Sequence, residues 1–304
     1  MFWSQWWRSS GSRANSIAAF LSKIGVFTTG SVFFVSSDVG NANNTGSDPV
    51  DDALATIDAA IGKCTADKGD VIIVLPGHTE TVAGAAGIDC DVAGVTIVGV
   101  GHGASRPTIT LSAVASTVEL AAASVTLRNL LFLVSADVTV AIDVNAADCL
   151  IEDCEMRNSA TKEAVTWIDI NGGAANACDR TTIRNCVIKC PAVGTTGGIE
   201  LGEIADNVVI EGCYIDGDFG DACIHNPTGF VLTKLRVARC VLRNTQTGDH
   251  AIELVSACTG TLAYNEYYSD ITQATASDPG SCFSIECYHD DVVDASGIVS
   301  PAVT

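Results

Sequence analysis

Short segments of alternating apolar and polar residues run along most of the chain, and one segment recurs around a cysteine. Its four copies span residues 151–156, 183–188, 210–215 and 237–242. The cysteines they share are Cys154, Cys186, Cys213 and Cys240, at steps of 32, 27 and 27 residues. A repeat of this length is typical of a solenoid, in which each unit buries its apolar face only against its neighbours.

The residue that precedes the repeated cysteine position predicts a corner between two strands. In register along the chain these residues are Gly99, Asn129, Asp153, Asn185, Gly212, Arg239 and Asn265. Six of the seven are Gly, Asn or Asp, which tolerate the left-handed backbone of a tight turn. Arg239 is the exception, and it weakens the prediction for its own coil.

A second apolar–polar strand recurs in each coil, in segments 141–144, 167–170, 198–201, 223–226 and 251–254. With the two strands that flank the corner, each coil then has three strands. Such coils build an all-β parallel β-helix, whose inward residues stack in columns about 4.8 Å apart. Between the strands, loops of variable length decorate the surface and leave the core untouched.

Residues 31–76 predict a cap for this solenoid, which needs one because an open end exposes both core and strand edges. We expect a strand near residues 31–35, a helix opened by Pro49 and a buried strand at residues 70–75. The resulting division is an N-terminal arm (1–30), a cap with the first coil (31–90), the β-helix (91–290) and a C-terminal tail (291–304).

Over residues 31–290 this pattern resembles the pectate-lyase-like right-handed parallel β-helix superfamily. The cap, with the run Val71-Ile-Ile-Val-Leu-Pro-Gly77, is similar to that of many bacteriophage and bacterial members. Together with short hydrophobic coils and an aromatic N-terminal arm, it looks most like virion proteins of this fold. The resemblance implies the fold and a homotrimer, but it carries over no catalytic residue.

Composition narrows the function further. The formal charge of −20 opposes nucleic-acid binding, which needs a basic surface. The chain has no stretch of eighteen apolar residues, so we predict no membrane-spanning helix. Most of the thirteen cysteines fall on inward positions, so we interpret them as reduced core thiols. Neither metal-ligand spacing nor a cofactor motif is present, and we predict no cofactor and no metal.

Aromatic residues crowd the arm, and they predict contact with a partner. Three of the four tryptophans lie within the first seven residues. The candidate partner-binding residues are Phe2, Trp3, Trp6, Trp7 and Phe20. The arm either folds back on its own solenoid or docks on another chain, as aromatic anchors commonly do; the second alternative is our prediction.

Two charged columns are candidates for chemistry. The second strand of each coil carries an outward polar residue, and these residues form an acidic column of Asp143, Asp169, Glu200, His225 and Glu253. The column is either a solvated acidic face or a pair of carboxylates for glycan cleavage. Arg128, Glu152, Arg184 and Glu211 form a second column of alternating sign, which we interpret as mutual charge compensation.

The leading hypothesis is therefore a non-enzymatic bacteriophage virion protein, assembled in the host cytoplasm. Capsid decoration, as a cement protein anchored by its arm on a major capsid protein, fits a short body best. A tail protein is the second location. The alternatives are a tailspike-like glycan depolymerase and a glycan-binding adhesin, both using the acidic column.

Overall fold

The computed structural model describes residues 19–269, 277–289 and 297–299; for residues 192, 193 and 297–299 it describes only the backbone. Within these residues a short α-helix, α1, spans Ile57–Ile61, residues 19–23 are also helical, and a 3-10 turn spans Gly103–Ser105. The strands, in chain order, are β1 Val32–Val35, β2 Val71–Val74, β3 Thr79–Val82, β4 Ile88–Asp89, β5 Thr96–Gly99, β6 Thr108–Leu111, β7 Val118–Leu120, β8 Thr126–Arg128, β9 Leu131–Val134, β10 Val138–Val144, β11 Leu150–Glu152, β12 Glu155–Arg157, β13 Ala164–Ile170, β14 Thr182–Arg184, β15 Val187–Glu200, β16 Val209–Glu211, β17 Tyr214–His225, β18 Leu235–Ala238, β19 Val241–Asn244, β20 His250–Leu254, β21 Gly260–Ala263, β22 Glu266–Tyr268, β23 Ser277–Pro279, β24 Phe283–Ile285, β25 Cys287–His289 and β26 Gly297–Val299.

The strands wind into a parallel β-helix of about eight turns with three faces, which confirms the predicted fold class. Face A stacks β1-β2-β5-β8-β11-β14-β16-β18-β21-β24. Face B stacks β3-β6-β9-β12-β15-β17-β19-β22-β25-β26, and face C stacks β4-β7-β10-β13-β15-β17-β20-β23. The long strands β15 and β17 belong to both B and C. Among the described strand pairs, only β25 and β26 run antiparallel.

The four repeated cysteines lie above one another at the corner between faces A and B. Backbone bonds of 2.9 Å join Val187 N to Cys154 O, Tyr214 N to Cys186 O and Val241 N to Cys213 O. Twelve of the thirteen cysteines are buried and all thirteen are free thiols. Burial raises the pKa of Cys154 to about 12, so such thiols stay protonated and pack as small apolar groups.

Most of the predicted corner residues adopt the left-handed backbone. Asn129, Asp153, Asn185 and Gly212 have φ between 54° and 65°. Arg239 adopts the same conformation, with φ 55°, although it is not a residue type that favours it. The backbone path is therefore set by the stacked coils, and the side chain at a single corner is not decisive.

Two of the corner predictions are wrong. Gly99 lies within β5, and a Cβ there would come 2.3 Å from Asn129 O, so this glycine is needed for close approach. In the last copy Tyr264 holds the left-handed corner, with φ 57°. Asn265 instead takes the inward cysteine position, where its Oδ1 accepts from Cys240 N and its Nδ2 donates to Val237 O, each at 2.9 Å.

The cap is present, but its helix is shorter than the sequence suggests. Helix α1 begins after Thr56, whose Oγ1 accepts a hydrogen bond from Ala59 N. Pro49 does not open it, because the residues that follow Pro49 belong to a loop. Asp52 accepts hydrogen bonds from Thr45 and from the Ser47 hydroxyl, which closes that loop before the helix starts.

The described part of the arm lies on the outer surface of face A. A helical turn at residues 19–23 buries Phe20 and Leu21, and Val26 follows them into the same apolar cluster. That cluster includes Val71 and Val98, which point outward from β2 and β5. Arg128 Nη1 also donates to Ile24 O at 3.3 Å. Residues 19–26, here called the arm root, are thus part of the folded body.

Candidate functional site

The acidic column is in register, and it is longer than the sequence analysis found. Strand pairing aligns Asp143 with Asp169, Asp169 with Glu200, Glu200 with His225 and His225 with Glu253. It continues at both ends, so that the complete column on face C is Asp89, Glu119, Asp143, Asp169, Glu200, His225, Glu253 and Asp278. Seven of these eight side chains are carboxylic acids.

Sequence reasoning missed three of these positions for different reasons. Asp89 and Glu119 each stand between two apolar residues, the same signal that marked Asp143. They could have been found by extending that pattern towards the cap. Asp278 stands between Ser277 and Pro279, so no apolar alternation reveals its strand.

Asp169 is the buried centre of the column. Its side chain points away from the apolar core, yet the residue is only 8% exposed. Its Oδ1 is buried and has no hydrogen-bond partner. Gly202 leaves room for this oxygen, because a Cβ at residue 202 would lie 2.9 Å from it.

Burial and like charges favour the protonated form of this carboxyl. The pKa of Asp169 rises to about 7, chiefly through burial and then through Glu200 and Asp143. The pKa of Asp143 is also raised, first by burial and further by Glu119, although Asn145 opposes the change. Carboxyls stacked at strand spacing cannot all ionise at low cost. The middle of the column therefore holds a proton close to neutral pH.

Neighbouring polar side chains donate hydrogen bonds to only some of the carboxyl oxygens of the column. Thr166 Oγ1 donates to Glu200 Oε2 at 3.0 Å. Asn145 Nδ2 donates to Glu119 Oε1 at 2.7 Å and to Asp143 Oδ2 at 3.3 Å. Oδ1 of Asp143 remains buried without a partner. These contacts fix the side-chain directions and leave the buried Oδ1 atoms of Asp143 and Asp169 without a hydrogen-bond donor.

Histidines mark the far end of the column. His225 Nδ1 lies 3.6 Å from Asp221 Oδ2, and His250 Nδ1 lies 3.9 Å from Glu253 Oε2. The pKa of Asp249 is raised, chiefly by burial and then by Asp221, while His250 opposes the shift. This end therefore places imidazole rings beside carboxylates, whereas the column neighbours of Asp169 are both carboxyls.

The arrangement suits proton transfer better than metal binding. Neighbouring parallel strands are about 4.8 Å apart, close to the carboxyl spacing of retaining glycosidases, about 5–5.5 Å. Asp169 and Glu200 are such neighbours, and they differ in burial. Among the described residues, no group of three or more His, Cys, Asp or Glu side chains could hold a metal ion.

The other predicted site residues lie elsewhere. Phe2, Trp3, Trp6 and Trp7 fall outside the described residues. Phe20 is 5% exposed and packs on face A of its own chain, so little of its ring surface is left for a partner.

The alternating-sign column is confirmed in register. Glu152 pairs with Arg184 at 2.6 Å and with Arg128 at 3.5 Å. Its charges compensate one another across coils, as expected for a structural column.

A shallow groove of about 450 Å³ lies between the arm root and the corner of faces A and B. Lys23, His102, Arg106 and Arg128 contribute to its lining. Arg106 is committed to structure, since it donates to Asn129 Oδ1, Glu155 Oε2 and Asp153 O, each at 3.0 Å. The groove therefore crosses several coils, and the Arg106 guanidinium in its lining is already bonded to the protein.

Comparison of the chain with protein-family models, with curated proteins and with solved structures found no match. Within the described residues, no helix is long and apolar enough to cross a membrane.

Proposed function

We propose that this chain is a non-enzymatic structural protein of a bacteriophage particle, a capsid decoration or cement protein that acts as a homotrimer in the virion. A stacked prism with a continuous apolar core is suited to this role, because its strands are nearly all paired and resist local opening. The resemblance to virion β-helices supports the assignment to a phage. A major capsid protein is the proposed partner, and a tail protein is the second.

The observation that carries this proposal is the contrast between the packing of the arm root and the composition of residues 1–18. The arm root is buried on face A and is tied to Arg128. The preceding segment carries three tryptophans, Phe2 and two arginines, with no acidic residue. A folded body preceded by an aromatic, cationic segment has the composition of a chain that attaches to another surface.

The test is retention on particles by a chain that lacks residues 2–18. The cut leaves Phe20 and Leu21 in place, so the body keeps its packing, whereas a cut after residue 21 would remove them. We expect the shortened chain to fold and to be lost from particles. Phe27→Ala is the matched control, since this ring is 88% exposed and lies outside the removed segment. Normal retention of the shortened chain would refute anchoring by the arm.

The centre of the acidic column favours a second candidate, a glycan depolymerase of the tailspike type. Asp169, protonated near neutral pH, would donate a proton to the leaving oxygen. Glu200, positioned by Thr166, would act as nucleophile. The test is the release of reducing ends from host capsule or lipopolysaccharide. Loss of this release in Asp169→Asn and in Glu200→Gln, but not in Asp148→Asn on another surface, would support the depolymerase. Tight glycan binding without turnover would indicate an adhesin.

A further inference from the structure

Large apolar side chains are exposed together on the last two coils. Phe283, Ile285, Tyr264 and Tyr288 are all exposed, and Phe283 is 73% exposed. Phe283 and Ile285 point outward from β24 on face A, and Tyr264 N donates to Ile285 O at 2.9 Å. Tyr288 follows on β25, beyond the corner at Glu286. We call these four residues the C-terminal apolar patch.

The two ends of face A differ. At the first coils, the arm root covers the outer surface, and the edge of β1 is closed by backbone bonds of 2.8 Å from Phe34 N to Gly46 O and from Leu54 N to Phe34 O. At the last coil, β24 is the outermost described strand of face A, and no described residue pairs with its outer edge. An exposed apolar surface beside a strand edge that no described residue pairs is a candidate site for another chain.

The N-terminal segment matches this patch in chemistry. Residues 1–18 contain Phe2 and three tryptophans together with Arg8 and Arg13, and they contain no acid. The patch is apolar and is flanked by exposed carboxylates, Glu266 and Glu286. A docking anchor commonly carries aromatic rings and arginine. An apolar surface with an acidic rim is the complementary site.

The distance along the solenoid favours an arm from another copy. The arm root lies on β1, β2 and β5, and seven strand steps separate β5 from β24 on face A. At about 4.8 Å per step this distance is about 34 Å. Twelve residues separate Trp7 from residue 19 and span about 41 Å only when fully extended. On the arm of the same chain, Trp7 would therefore reach the patch only with these twelve residues nearly fully extended, whereas the arm of another copy is under no such limit.

We propose that residues 1–18 of one copy dock on the C-terminal apolar patch of a second copy of this chain. The contact is heterologous: it joins the beginning of one prism to the end of another, and it closes into a ring when the rotation between copies allows. This inference rests on the proposed function, in which the arm is the attachment element, and it names a copy of the chain as one of the arm's partners.

The test uses three full-length variants and measures mass by light scattering at several concentrations. The patch variant is Phe283→Ser with Ile285→Ser, and the arm variant is Trp3→Ala with Trp6→Ala and Trp7→Ala. Val114→Ser is the control, since this side chain is 63% exposed on another part of the surface. We expect the wild type and the control to have a multiple of the 31.4 kDa chain mass.

The patch and arm variants should each associate at least about tenfold more weakly, as loss of a central anchor does. Their mixture should restore association, because one supplies an intact arm and the other an intact patch. A monomeric wild type, a patch variant of unchanged mass, or a mixture that stays monomeric would each overturn the inference. A patch variant that melts earlier at unchanged mass would show that the chain's own tail covers the patch, which also overturns it.

The arm variant separates this inference from the proposed function. If it leaves particles while its mass in solution is unchanged, contact between copies is refuted and anchoring to the particle stands. If it stays on particles but becomes monomeric, anchoring is refuted and contact between copies stands.

Discussion

Replacing Asp169 by asparagine should change how the stability of the protein depends on pH. The carboxyl of an unfolded chain titrates near 3.8, whereas the pKa of Asp169 in the folded protein is about 7. The folded state therefore binds this proton more tightly, and the energetic cost of the buried charge is absent below pH 3.8. That cost grows as pH rises from 3.8 to 7 and is complete above pH 7.

The difference between 3.8 and about 7 corresponds to a cost of about 4 kcal/mol at 1.36 kcal/mol per pKa unit. This figure is an upper value, because Asp143 and Glu200 share the proton and relax when it leaves. Asparagine has nearly the same shape and carries no charge. We therefore expect Asp169→Asn to stabilise the protein by about 1–3 kcal/mol at pH 8 and to have little effect near pH 4.

The assay is urea unfolding, followed by far-ultraviolet circular dichroism at pH 4, 6, 7 and 8. Asp148→Asn is the matched control. Two hydrogen bonds from Arg180, at 2.7 and 2.8 Å, lower the pKa of this exposed carboxyl, so its loss should weaken the protein slightly at neutral pH. A difference between Asp169→Asn and the wild type that is the same at pH 4 and pH 8 would refute the reasoning.

Three further predictions concern the body of the protein. Phe20→Ala should cost about 2–4 kcal/mol in urea unfolding, since the ring is buried on face A, whereas Phe27→Ala should cost almost nothing. Arg239→Asn should raise the melting temperature by relieving about 1 kcal/mol of left-handed strain at φ 55°; an unchanged or lower melting temperature would contradict this. In the native protein no thiol should react with a thiol reagent at the rate of free cysteine, because even the half-buried Cys64 has its pKa raised to about 12 by burial. Thirteen should react after denaturation, and fewer would reveal disulfides.

Much of the fold could be predicted from the sequence because each coil requires the same size and polarity of side chain at equivalent positions. Cys154 and its counterparts occupy a position with room for one small apolar side chain, so the same residue type recurs at the same place. Asn265 shows the limit of this reasoning. Its amide replaces a thiol by bonding to backbone groups of the coil beneath, and no apolar pattern reveals such a substitution.

Helix α1 was the least predictable element. Its apolar stripe continues into residues 53 and 54, which suggests a helix that starts near Pro49. In the structure, Leu54 is bridged to Val35 of β1 instead, so these apolar residues serve the sheet. A period that fits a helix also fits a loop whose apolar residues close a strand edge, and only the tertiary contact distinguishes them.

The acidic column illustrates what a sequence can and cannot reveal about a site on a solenoid. Which residues share a column follows from the strand period, and that prediction was confirmed. How deeply each residue is buried depends on the residues beside it, and Thr166 and Gly202 lie outside the repeated segments 167–170 and 198–201. The unusual proton affinity of Asp169 arises from that local burial together with carboxylates on both adjacent strands. A β-helix places like residues on top of one another, so it can concentrate charge on a face while its core stays apolar. The carboxyls at the ends of such a column reach solvent more easily than those at its centre, where the cost of ionisation is greatest and acid–base chemistry would be found.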